Sequence, residues 1–163
     1  MKFILVALSF LFVTSTPIYA SWTGWKYERQ VDEFDNDVTH YVKYKSIGEE
    51  FYVTVSCHEN KNNLLRFFGI FIDEVIDHSS EDRIRIKFDS EDPEWFGFFY
   101  SDDPPIEMLI TSLTKDVITL INKMKTYSTM KIEIHLFRKG RHIKNVHLAG
   151  FTQEFNKMPS YCQ

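Results

Sequence analysis

The apolar residues of this chain fall mostly at every second position, a period that predicts strands. Over residues 37–46 (DVTHYVKYKS), Val38, His40, Val42 and Tyr44 share one face. After Ile47, Gly48 and Glu49 break the pattern, Phe51, Val53, Val55 and Cys57 share one face while Tyr52, Thr54 and Ser56 take the other. Two such runs around a short break predict an antiparallel hairpin. Residues 58–63 then read as a polar loop. Residues 64–72 (LLRFFGIFI) read as a strand covered on both faces, with Gly69 marking a bulge. Ile84, Ile86 and Phe88 alternate with Arg83, Arg85 and Lys87, which predicts a half-buried strand with a basic outer face. Residues 95–100 (WFGFFY) are expected as one strand, and residues 106–112 as another.

The period changes once. Val117, Leu120, Ile121 and Met124 recur at helical spacing and predict a helix over 115–127, with Thr114 as its cap. Asp116 in the first turn and Lys123 and Lys125 in the last complement the helix dipole. Alternation resumes at Ile132, Ile134 and Leu136. Matching apolar to apolar across the next turn puts Lys139, Gly140 and Arg141 at its tip, Ile134 opposite Val146, Ile132 opposite Leu148, and Glu133 opposite His147. Residues 151–162 read as a short helical turn stopped by Pro159. The expected class is α+β: an antiparallel β-sheet or β-sandwich with one main helix (115–127), a short C-terminal helix and one disulfide.

The first twenty residues (MKFILVALSFLFVTSTPIYA) stand outside this pattern. Lys2, an apolar run over 3–13 and a polar stretch ending at Ala20 have the build of a secretory signal, and the run is too short to span a bilayer. We therefore expect a signal peptide over 1–20, cleaved after Ala20, and a single exported β-rich domain over 21–163, periplasmic or secreted, with no stable membrane insertion after cleavage. An uncleaved leader acting as an anchor is the alternative. The chain has only two cysteines, Cys57 and Cys162. In an oxidising compartment they are expected to pair, free or intermolecular thiols being the alternative.

The formal net charge is −4, one unit more negative without Lys2. This argues against nucleic acid or an anionic membrane as a general partner. The 15 Phe, 8 Tyr and 3 Trp with only 6 Gly suit a folded, β-rich domain.

Candidate chemistry is sparse. Asp32, Glu33, Asp35 and Asp37, with His40 beyond, form an acidic cluster without the spacing of a calcium loop. His135, His142 and His147 sit in one hairpin, but on different faces or out of register for a metal. Cys57 and His58 are adjacent on a strand and so point to opposite faces, which removes a thiol–imidazole pair. There is no Gly-rich phosphate loop, no G-x-S-x-G and no H-E-x-x-H. We therefore expect no catalytic set, no metal and no cofactor. Trp22, Trp25, Trp95 and Phe96 are candidates for an apolar pocket or an interface, core packing being the alternative. Arg138 and Arg141, with Lys139 and Lys144, form a basic hairpin tip suited to an acidic partner or a phosphate, or simply to solvent.

The order of these elements resembles that of the small exported domain of type VI secretion-associated proteins of the TagO/VasI kind, and of short bacterial and phage-borne exported proteins with the same layout. The resembling points are Trp25 with Asp35, Asn36, Asp37 and Val38; the strand over 53–57 ending in Cys57; the run RIRIKFD over 83–89; the helix over 116–125 before the strand over 130–137; and VHLAGF over 146–151 before a short helix and Cys162. The resemblance implies an α+β sheet domain, an extracytoplasmic address and a Cys57–Cys162 bond. It brings no catalytic residues. The leading expectation is a non-enzymatic exported binding or accessory protein acting through contacts with another envelope or secreted protein, with a possible tie to a secretion system. A small apolar-ligand binder and a hydrolase of unknown type are the alternatives.

Overall fold

The chain folds, in a computed structural model, into two antiparallel sheets that share one core. The structure describes residues 24–34, 36–46, 51–60, 63–72, 83–101, 107–111 and 114–163. The leader, Trp22 and the segments 73–82 and 102–106 lie outside these residues.

The larger sheet has the order β1-β2-β3-β4-β8-β7, from β1 (Gly24–Val31), β2 (Val38–Lys45), β3 (Phe51–Asn60), β4 (Asn63–Ile72), β8 (Glu107–Thr111) and β7 (Phe99–Ser101). The smaller has the order β10-β9-β5-β6, from β10 (Gly140–His147), β9 (Thr129–Leu136), β5 (Arg83–Phe88) and β6 (Glu94–Gly97). Alternation decides what each sheet buries. Val42, Tyr44, Val53, Val55, Phe68 and Ile70 of the larger sheet join Ile84, Ile86, Phe88, Met130, Ile132 and Ile134 of the smaller in one cluster. The main helix α1 (Thr114–Thr126) adds Val117, Leu120, Ile121 and Met124, the residues its period singles out. The short helix α2 (Phe151–Phe155) adds Phe151 and Phe155, and a 3-10 turn (Ser160–Cys162) ends the fold.

The α+β class, the main helix, the strand at 107–111 and the disulfide stand as expected. Several finer expectations do not. β1 is a strand that alternation missed, because Arg29 interrupts the face that carries Trp25, Tyr27 and Val31, and Val31 is exposed. Residues 58–60 continue β3, so no six-residue loop separates it from β4. The β3–β4 register runs unbroken through Thr54 opposite Gly69, so Gly69 marks no bulge, and β4 is fully covered on one face only: Leu65 is exposed. Residues 95–100 are not one strand. The chain leaves the small sheet after Gly97, buries Phe98 against Phe68 with ring centroids 6.0 Å apart, and enters the large sheet at Phe99.

The last hairpin turns two residues earlier than apolar matching suggests. Its tip is Phe137, Arg138 and Lys139; Ile134 faces His142 and Ile132 faces Lys144. Gly140, at φ +74°, supplies the left-handed residue that a tight hairpin needs. The isoleucines are satisfied from the opposite sheet, so the edge strand β10 need not match them. Glu133 consequently faces Ile143, and His147 faces Thr129.

Candidate functional site

The outer face of the small sheet brings cations and exposed apolar side chains together. Registers fix two cross-strand rows on it. In one, Ile143 of β10 faces Glu133 of β9, which faces Arg85 of β5, which faces Trp95 of β6. In the next, Asn145 faces Lys131, which faces Lys87. Arg83 and Arg141 extend the same face. Among the described residues it thus carries five cations, Arg83, Arg85, Lys87, Lys131 and Arg141, against one strand carboxylate, Glu133, on a chain of net charge −4. Two large apolar side chains stand among them, Trp95 at 56 % exposed and Ile143 at 52 %.

Glu133 is shared. Its oxygens lie 3.8 Å from Arg85, 3.6 Å from Arg141 and 3.7 Å from His135. The Arg85 guanidinium stands 6.0 Å from the centre of the Trp95 ring, within reach of a cation–π contact. Between the rows lies a shallow depression of about 80 Å³ lined by Arg85, Lys87, Pro93, Lys131, Glu133 and Ile143. Lys87 and Lys131 make no ion pair among the described residues. Four lysines elsewhere are matched: Lys26 and Lys43 with Glu28, Lys157 with Glu154, and Lys123 with Glu91 and Glu94. The hydrogen bond and charge of Lys43 hold Glu28 below the usual carboxylate range, and Lys123 does the same for Glu91.

A second polar cluster joins the C-terminus to the large sheet. His40 is 4 % exposed and stacked on Tyr27, whose hydroxyl lies 2.8 Å from its Nδ1. Its Nε2 lies 3.4 Å from the Tyr161 hydroxyl, which donates to Glu59. The chain of donors fits a neutral imidazole with its proton on Nε2. Burial, and then the charge of Arg29, push the His40 pKa down, with Glu59 opposing; the bond to Glu59 pushes that of Tyr161 up. Arg66 grips the carbonyls of Tyr161 and Cys162, and Cys162 is bonded to Cys57, the strand partner of His40, with Cα atoms 5.7 Å apart. Arg66, Glu59 and His40 thus hold Tyr161 and Cys162 of the chain end.

The sequence candidates separate accordingly. Trp95 and Arg141 lie on the basic face. Arg138 sits at the hairpin tip in a left-handed conformation, φ +60°, with its guanidinium 5.0 Å from the Phe137 ring. Trp25 and Phe96 are core residues and are not available to a partner: Trp25 packs on Tyr44 and Phe151, and its indole N–H donates to the His147 carbonyl at 2.8 Å, bridging the two sheets. Trp22 lies outside the described residues. Lys87, Lys131 and Ile143 were not singled out. The basic alternation of β5 was visible in sequence, but the rows it forms depend on the registers of three further strands. Among the described residues no three His, Cys, Asp or Glu side chains gather as a metal site, and no helix is long and apolar enough to cross a membrane. Compared with protein-family models, curated proteins and solved structures, the chain matches none.

Proposed function

We propose that the protein is a non-enzymatic exported binding domain that docks an acidic surface of another envelope or secreted protein on the outer face of its small sheet. The observation that carries this reading is the cross-strand row from Ile143 to Trp95 beside the facing pair Lys131 and Lys87. Exposed aromatic and aliphatic anchors among cations are what a protein interface of this polarity uses, the anchors for affinity and the charges for steering. The signal-like leader and the disulfide support export. The element order that resembles TagO/VasI-type proteins supports an accessory role in secretion. The apolar-ligand reading draws less support, because Trp25 and Phe96 are packed into the core and do not line a void.

A model partner tests it. A capped peptide of repeating Glu-Ser-Val-Ser presents acids and aliphatics alternately on one extended face. Calorimetry should find binding that weakens with added salt, is lost when every Glu becomes Gln, and is weakened by Trp95→Ser. Equal binding of the Glu and Gln peptides, or indifference to Trp95→Ser, counts against the reading.

A further inference from the structure

We infer that the depression between β5, β9 and β10 is a seat for one carboxylate side chain of an acidic protein segment, held between the ammonium groups of Lys87 and Lys131. The inference rests on the face proposed above and names what that face recognises.

Lys131 and Lys87 are direct cross-strand partners on the same side of the sheet. Like charges so placed destabilise an antiparallel pair. Among the described residues, the one carboxylate that lines the hollow, Glu133, is engaged by Arg85, Arg141 and His135. The side chains of two lysines with no ion pair among the described residues therefore line a hollow of about 80 Å³. Pro93 and Ile143 wall the same hollow, so the arriving acid brings an aliphatic neighbour into contact.

The spacing fits an extended polypeptide. Ile143 and Lys131 lie on adjacent strands two positions out of register, a diagonal of about 7–8 Å. Same-face side chains of an extended chain repeat at about 7 Å. An acid and an aliphatic residue two positions apart therefore reach the seat and Ile143 together. A nucleic-acid backbone fits less well: it would lay successive phosphates over Glu133 as well as over the lysines.

Lys131→Glu supplies the missing carboxylate from within the sheet. The thermal midpoint should rise by about 2 °C as repulsion becomes attraction. Affinity for the Glu-Ser-Val-Ser peptide should fall about tenfold or more, because the seat is filled and reversed in charge. Lys131→Gln relieves the repulsion without filling the seat and should lie between. If both variants bind the peptide like the wild type while Trp95→Ser does not, the seat is refuted and the face stands. If all three bind it like the wild type, or the wild type does not bind, the face falls with the seat. Displacement of the peptide by inorganic sulfate or by oligo-dT at equal or lower concentration overturns the assignment to a protein carboxylate.

Discussion

His40 and Thr111 show what single side chains contribute to this fold. His40 is held neutral by burial, so its folded pKa lies below its unfolded value. The sign follows from linkage: the unfolded chain binds the proton more readily, so stability is complete above about pH 6.5 and declines as the pH falls toward the folded value. Urea midpoints at about pH 7.5 and about pH 5 should show this loss, and His40→Gln should flatten it whatever it does at neutral pH. A further loss belongs at lower pH. Glu28, Asp89, Glu91 and Glu154, all held below the usual range by hydrogen bonds, give up their contributions as the pH falls through their folded values. Thr111 is fully buried, and its hydroxyl has no hydrogen-bond partner among the described residues. Replacing a buried, unsatisfied hydroxyl with a methyl of the same shape removes a desolvation cost. Thr111→Val should therefore stabilise the protein by about 1 kcal/mol in equilibrium unfolding, and a clear loss of stability would contradict this.

The elements divide by how local their causes are. α1 was plain in the sequence because four apolar residues at helical spacing and charges at its ends agree, and its ends fall within a residue of expectation. β9 and residues 51–57 of β3 were plain because each alternates without interruption. β1 was not, because an edge strand needs few apolar positions and this one is fixed by distant partners: Trp25 bonds His147, and Glu154 of α2 accepts the Tyr27 N–H at 2.9 Å. Trp25→Ala should accordingly cost about 3–5 kcal/mol in urea unfolding, a core-sized effect from an edge strand. The β9–β10 register misled for a related reason. Isoleucines in β9 find their cover in the opposite sheet, so turn chemistry at Gly140 overrules apolar matching across the hairpin. The break at Gly97 and Phe98 was hidden because both halves of WFGFFY are good strand formers, and only the presence of two sheets separates them. The candidate site inherits these difficulties. The cations of β5 are local, whereas their rows with Lys131, Ile143 and Trp95 exist only once four strands are in register.

At the scale of the whole molecule, the last residues close the structure. The Cys57–Cys162 bond spans 105 residues, and loop closure of that size is worth roughly 4–5 kcal/mol in the chain-entropy account. The paired change Cys57→Ala with Cys162→Ala should lower the unfolding free energy by a few kcal/mol and loosen the contacts of Tyr161 with His40 and Glu59. A loss within error would mean that the clamp of Arg66 and His40 suffices without the bond. The bond is anchored on β3 of the larger sheet and the basic face is the outer face of the smaller one, so the paired change should not alter how that face binds. The charge of the molecule is arranged to match: the total is negative, yet one sheet face is strongly positive. That asymmetry is the central claim, and amide chemical shifts read it most directly. Titrating the oxidised protein with the Glu-Ser-Val-Ser peptide should move the amides of Arg85, Lys87, Lys131, Glu133 and Ile143 and the indole N–H of Trp95, and leave Val42, Val53 and Phe151 in place. Shifts confined to any other surface, or none on this face, would contradict the account.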